Sequence, residues 1–367
     1  MFIELIFLIL ILLVLISIVG ISWYISNRLL HRTGNSPSFR IPITDIDTKT
    51  VTLQMTANTK RPGVFGITGV NGQVIVGSIL SSNSETVTRE LIHSTGELSN
   101  TKVAWNTTVY GGVLRDYLEL TIEDVRIPGA LGDMPAWFVP GKLSTWAILV
   151  HGATGTREQS LRAFKTLADV GLPILAITYR NDKGAPSSAD RLSHLGDTEW
   201  QDLEASVKYA LAQGAQHLLL YGWSMGGSIV ETFLDRSSSA SAVQAVILDS
   251  PLLNWHATLG ALAKKNALPS FIAWVTEKII SMRTGIHFAA LDQMGQGQSQ
   301  VPTLLFHGIN DTTALIAISD TFAAAHSNIT YHRIAEAEHT QCWNANPEMY
   351  ETELRAFLTQ VLDLMTI

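Results

Sequence analysis

About two thirds of the chain, residues 116–367, predict an α/β fold in which helices cover both faces of a mainly parallel sheet. Three observations carry this. Short apolar runs at 146–150, 174–179, 218–223, 245–248, 303–306 and 331–334 read as buried strands, with helical patterns between several of them. The run 218–223 ends in Gly222-Trp223-Ser224-Met225-Gly226, and a helix over 228–234 follows. Polar turns holding Asp311 and His339 come just past the last two strands, the end of such a sheet where sites collect.

Residues 5–25 contain no charged residue. As a helix they are about 31 Å long, the hydrocarbon thickness of a bilayer. Trp23 and Tyr24 close the run where amphipathic rings favour the interface. The first residues hold Glu4 and no Lys or Arg, which argues against a cleaved signal peptide. Gly20-Ile21-Ser22 is a small-x-small triplet, so cleavage stays open, but a retained anchor over 1–32 is expected. Arg28, Arg32 and Arg40 all follow the span, which predicts a cytoplasmic catalytic part.

Residues 33–115 read as a linker passing into a small, β-rich structural extension. Its clearest signal is Asn71-Gly72, a hairpin cue between strands at 64–67 and 73–80. A turn at 81–84 and a strand at 86–92 follow. The sequons at Asn106, Asn310 and Asn328 are attributed to chance.

The main domain, 116–367, opens with a hairpin, 117–127 and 135–139, around Gly129-Ala130-Leu131-Gly132. Strand 146–150 runs into His151-Gly152, and a helix over 158–170 follows. Leu203, Val207, Ala210 and Leu211 place a helix at 198–213. Bulky apolar residues, Trp255, Leu259, Leu262, Phe271, Trp274 and Ile279, mark a helical insertion within 252–300, closed by a return loop at 294–300. It is either a lid over the pocket or ordinary packing. A helix over 347–365 closes the chain.

Composition removes several classes of function. The net charge is −7 and no basic cluster occurs, so no nucleic-acid partner is expected. One cysteine, Cys342, allows neither an internal disulfide nor a paired-cysteine metal site. There is no glycine-rich phosphate loop, and no cofactor or metal is expected.

The chemistry gathers on Ser224. Gly-x-Ser-x-Gly between a buried strand and a helix is the form of a nucleophile elbow. Gly222 and Gly226 leave room where the backbone folds on itself, and the helix N-terminus favours a developing oxyanion. A serine hydroxyl needs a base, and the base an orienting acid. In chain order the candidates are Asp311 and then His339. Asp249, also past a strand, is the competing acid. Ser250 lacks an elbow, and His151 reads as a residue orienting the loop backbone. The remaining histidines, His307 among them, read as structural or surface residues. Asp197 and Glu199 read as helix-capping carboxylates, and Cys342 as a packing thiol.

His151-Gly152-Ala153-Thr154-Gly155, the elbow, Gly308 to Asp311 and the Glu338-His339 turn together resemble the α/β-hydrolase superfamily. The likeness covers about two thirds of the chain and is closest to the prolyl-oligopeptidase-like and small-esterase branches. It implies a triad of Ser224, Asp311 and His339, with an oxyanion hole from the N–H groups of Met225 and Ala153, or Thr154 in place of Ala153. The activity it implies is a membrane-anchored serine hydrolase cleaving a small or amphiphilic ester or thioester through an acyl-enzyme. A peptidase acting on short peptides and a non-catalytic binding module are the alternatives. Oligomeric state is left open.

Overall fold

The computed structural model describes residues 2–31, 38–98, 102–294 and 300–363. The first element, α1 (Phe2–Leu30), is long and apolar enough to cross a membrane. It outruns the expected 5–25 at both ends, and Arg28 in its last turn suits the negative end of the helix dipole. Ser22, Ser26 and Leu30 are its buried residues, and Leu30 inserts into the main core.

Six strands then close an antiparallel barrel: β1 (Ile41–Ile46), β2 (Thr50–Gln54), β3 (Phe65–Thr68), β4 (Asn71–Ser82), β5 (Thr86–Glu97) and β6 (Lys102–Asn106). Their order is β1-β2-β5-β4-β3-β6, with β6 returning to β1. Polar side chains set the turns. The Asp47 carboxylate accepts from the N–H groups of Lys49 and Thr50, both at 2.7 Å, and Asn83 does the same for Glu85 and Thr86 at 2.8 Å. Val51, Leu53, Phe65, Ile67, Val74, Val76, Val87 and Val103 fill the interior, together with one charged residue, Arg89.

The hairpin expected at Asn71-Gly72 is present with a different turn. Neither residue takes a positive φ, and Gly69 N–H donates to Gly72 O at 2.8 Å. Asn71 and Gly72 already pair with Glu97 and Gly96 of β5, so that strand dictates their extended backbone.

The hairpin expected from residue 117 starts later, because 112–118 form a 3₁₀ turn that buries Leu114 and Leu118. The main sheet is built from β7 (Glu123–Gly129), β8 (Gly132–Val139), β9 (Thr145–Val150), β10 (Ile174–Ile177), β11 (His217–Trp223), β12 (Val243–Asp249), β13 (Thr303–Gly308) and β14 (Ile329–Ile334). Their order is β14-β13-β12-β11-β9-β10-β8-β7, parallel except that β8 runs against both of its neighbours.

Alternation along the central strands sorts their side chains into two cores. On β9, Trp146, Ile148 and Val150 face one core, and Ala147 and Leu149 the other. On β11, Leu218 and Leu220 oppose Leu219, Tyr221 and Trp223 in the same way. Helices α3 (Trp200–Ala212) and α4 (Met225–Arg236) cover the first face, through Leu203, Val207, Ile229 and Phe233. Helix α2 (Leu161–Val170) covers the second with Phe164 and Leu167. The barrel reaches this second core through Ile75 of β4.

Between β12 and β13 the insertion is a helical hairpin, α5 (Trp255–Lys265) and α6 (Phe271–Thr284). Helix α7 (Ile316–Ala325) precedes β14, and the short α8 (Cys342–Ala345) leads into α9 (Pro347–Asp363), which packs on the second face through Tyr350, Leu354 and Leu358. Of the expected linker at 33–60, residues 33–37 lie outside the described residues, as do most of the return loop (295–299) and residues 364–367. The rest of that linker holds β1 and β2, at 41–46 and 50–54, because these segments pair into the barrel.

Candidate active site

Strand β11 delivers Ser224 into a sharp turn with φ +53° and ψ −117°, an uncommon backbone for a residue with a side chain. The flanking glycines permit it. A Cβ on Gly222 would sit 2.6 Å from Gly226 O, and one on Gly226 2.0 Å from Val150 O, so the elbow packs directly onto β9. Helix α4 starts at Met225, whose N–H lies in the first turn, where no intrahelical acceptor exists.

Asp311 follows β13. Its Oδ1 accepts from the N–H groups of Thr313 (2.7 Å) and Ala314 (2.9 Å). Its Oδ2 accepts from His339 Nδ1 at 2.7 Å and lies 3.2 Å from His307 Nε2, which is shared with Ala314 O at 3.1 Å. Burial alone would raise this carboxyl, but the hydrogen bonds and charges of the two imidazoles hold it well below the usual carboxylate range.

His339 sits on the turn after β14. A carboxylate only accepts, so Nδ1 carries the proton toward Asp311, and Nε2 is left to accept from Ser224 Oγ at 2.8 Å. Ser224 is 6% exposed, and the His339 side chain keeps 22%. A base so oriented on a hydroxyl is the arrangement that activates an oxygen nucleophile.

The loop after β9 lies against the serine: a Cβ on Gly152 would meet Ser224 Cβ at 3.0 Å. Ala153 is the next residue. Gly152 N–H donates to Gln159 Oε1 at 2.8 Å, and Gly155 N–H to Gly152 O at 3.1 Å. His151 is buried, with Nδ1 2.9 Å from Gly152 O and Nε2 2.9 Å from Asp182 Oδ2. Tyr179 stacks on its ring and donates to Gly152 O at 3.1 Å. His151 therefore orients the loop backbone, through Gly152 O, Asp182 and Tyr179.

Asp249 is placed elsewhere. It is fully buried at the end of β12, accepting from Ser250 Oγ (3.0 Å) and Tyr350 Oη (3.1 Å), and burial pushes its carboxyl up. Its carbonyl accepts from Ser224 N–H at 3.1 Å, so it braces the elbow from below. Cys342 is buried beside it, with its thiol pushed up by the same burial. The capping role expected of Glu199 is not what the side chain does. Its carboxylate binds the preceding loop through His194 N–H (2.8 Å), Gly196 N–H (3.0 Å) and Ser193 Oγ (3.2 Å). Asp197 pairs with Arg236 at 2.8 Å.

Three residues of this site escape a reading of the sequence. His307 reads as a structural histidine; its place four residues before Asp311, at the mouth of a tight turn, is the one signal that it touches the acid. Gln159 holds the Gly152 loop without any motif. Arg61, in the barrel, reaches Glu338 at 2.5 Å and Gln341 at 3.2 Å, on either side of His339. Nothing in the local sequence announces that contact.

A profile of the prolyl oligopeptidase family matches residues 158–363, more than half of the chain, and a domain of unknown function matches residues 42–106, nearly the whole barrel. A search of curated proteins finds no match. Among solved structures, a Pyrococcus furiosus esterase, Pf2001, aligns with a TM-score of 0.52 at 19% identity, over 67% of this chain and 95% of its own. The α/β hydrolase GrgF from Penicillium sp. sh18 gives 0.52 at 14% identity, over 66% of this chain and 99% of its own. At such identities the likeness establishes the fold. The family match adds the chemistry: the chain belongs to the prolyl oligopeptidase family and is a serine hydrolase of the α/β-hydrolase fold.

Proposed function

We propose that the protein is a membrane-anchored hydrolase that cleaves a small or amphiphilic ester or thioester through an acyl-enzyme, with Ser224, His339 and Asp311 as its triad. One observation carries the reading: His339 bridges Ser224 Oγ at 2.8 Å and Asp311 Oδ2 at 2.7 Å. As Oγ attacks the carbonyl, its proton passes to His339 Nε2, and Asp311 stabilises the imidazolium. Met225 and Ala153 supply N–H groups to the oxyanion, and His339 then protonates the leaving group. Water repeats the sequence on the acyl-enzyme. Helix α1 anchors the chain, with the arginines after it keeping the catalytic part cytoplasmic. No nucleic acid or cofactor takes part.

The family match favours a second reading, a peptidase acting on short peptides. Fluorophosphonate labelling of the full chain tests the nucleophile. Ser224→Ala and His339→Ala should lose the label and several orders of magnitude in turnover. A Ser224→Ala variant with wild-type turnover would sink the triad. Comparing p-nitrophenyl esters with aminoacyl anilides separates the two readings, and faster turnover of the anilides would select the peptidase.

A further inference from the structure

Helix α1 packs against α6. Small side chains allow the close approach, since Ser22 and Ser26 are fully buried. Arg283 of α6 locks the pair. It donates to Ser26 Oγ (2.9 Å) and Asn27 Oδ1 (3.2 Å), and its guanidinium lies 4.4 Å from the centre of the Trp23 ring. Trp23 and Tyr24 end the apolar run of α1, at the depth where such rings meet lipid headgroups. Contact at Trp23 therefore holds the C-terminal end of α6 near that depth.

Helix α6 turns an apolar stripe outward. Phe271, Trp274 and Met282 are 47, 56 and 80% exposed, and with Lys278 they fall at i, i+3, i+7 and i+11, one face of a helix. Lys278, half exposed, lies 5.9 Å from the Trp274 ring centre and 3.9 Å from Glu277 Oε1, so its charge sits at the edge of the apolar face. Residues 254–285 carry four basic residues (Lys264, Lys265, Lys278, Arg283) and one acidic (Glu277), in a chain of net charge −7. Large exposed apolar side chains aligned on one face, beside basic residues, are the pattern of a helix lying in a membrane interface.

The same hairpin touches the site. Leu252 N–H donates to Ser224 O at 3.1 Å just before α5, and Lys265 at its end donates to Thr312 Oγ1 at 2.9 Å, next to Asp311.

We propose that α6 lies in the surface of the bilayer that α1 crosses, a second membrane contact through Phe271, Trp274, Lys278 and Met282. The α5–α6 hairpin then joins that surface to the mouth of the site, which admits amphiphiles drawn from the membrane. This rests on α1 being a retained anchor.

The test uses the full chain in vesicles of phosphatidylcholine and phosphatidylglycerol. Cys342 is buried, so a thiol-reactive, polarity-sensitive dye reports single introduced cysteines. Trp274→Cys and Met282→Cys probe α6. Leu12→Cys marks the anchor, and Thr352→Cys, on α9 across the sheet, marks water. The proposal expects blue-shifted emission at 274 and 282, quenched by lipids with brominated acyl chains. Residue 12 should behave likewise and 352 should not. If 274 and 282 behave like 352 while 12 is quenched, the anchor stands and the α6 contact is overturned. If 12 is unquenched too, the anchored reading falls and the proposal with it. In a second arm, Trp274→Ser combined with Met282→Ser should lower turnover of a vesicle-embedded ester severalfold and leave a soluble ester unchanged. Equal effects on both esters would overturn the link from membrane to site.

Discussion

Arg61 of the barrel closes on Glu338, the residue before His339, at 2.5 Å, and its other terminal nitrogen reaches Gln341 at 3.2 Å. The barrel thus grips the histidine turn on both sides. The turn needs support, because Glu336 and Thr340 both hold positive φ. Arg61→Ala should lower kcat by roughly tenfold through misplacement of the imidazole, with a smaller change in KM. The rate of fluorophosphonate labelling should fall in parallel while the melting temperature stays near wild type. Unchanged kcat would reduce the barrel to a mere appendage.

Arg89 holds the same loop from inside the barrel. It donates to the carbonyls of Thr59 (3.0 Å), Arg61 (2.6 Å), Gly63 (2.6 Å) and Gly77 (2.5 Å). Burial pushes its guanidinium down to about 10, so it stays charged at neutral pH. Arg89→Met fits the space but strands four carbonyls. A loss on the order of 3 kcal/mol is expected in urea unfolding, together with the kcat defect of Arg61→Ala. A Met variant of wild-type stability would show that those carbonyls find other donors.

The two imidazoles on Asp311 set an acid limit. A carboxyl held below its ordinary value of 3.8 binds its proton less readily in the folded protein than in the unfolded chain. It therefore adds stability above about pH 4, and this fades as pH falls toward the folded value. His307→Phe removes one donor, so Asp311 shifts back up toward 3.8. The loss on acidification still begins near pH 4 but is smaller and is complete at a higher pH than in the wild type. Urea unfolding between pH 3 and 7 measures it. Superimposable wild-type and variant curves would mean that His307 does not hold the acid.

Glu231 on α4 works in the opposite sense. Burial raises its carboxyl from 4.5 to about 7. Between those values the folded protein keeps a proton that the unfolded chain has lost, so stability falls as pH rises across that window. Glu231→Gln should be more stable than wild type at pH 8, by up to about 3 kcal/mol, and equal to it near pH 4. Thermal melts at the two pH values decide; an equal gain at both would point to packing rather than charge.

What could be read from the sequence follows a physical division. Strands such as 146–150 and 218–223 are apolar because both of their faces are buried, and buried runs ended by turns are visible in one dimension. The placement of Ser224 is equally visible, since only glycine fits at Gly222 and Gly226. The backbone at Asn71-Gly72 is not legible locally, because β5, a later strand, decides it. The carboxylate of Glu199 is ambiguous in sequence for a similar reason: a cap and a loop staple need the same residue at the same helix start. Arg61 and Arg89 act through contacts made only when distant segments meet, and no local pattern encodes them.

The grip of Arg61 on the histidine turn also orders the making of the enzyme. Arg61 and Gln341 are 280 residues apart in sequence. During synthesis the barrel emerges early, while its counterpart leaves the ribosome only after the whole sheet through β14 has been translated. Contacts this distant form late and slowly. A nascent chain stalled before Glu338 would carry the barrel strands and Ser224, but neither His339 nor the turn that Arg61 holds. On the proposed triad, the clamp makes hydrolysis one of the last properties the growing polypeptide acquires.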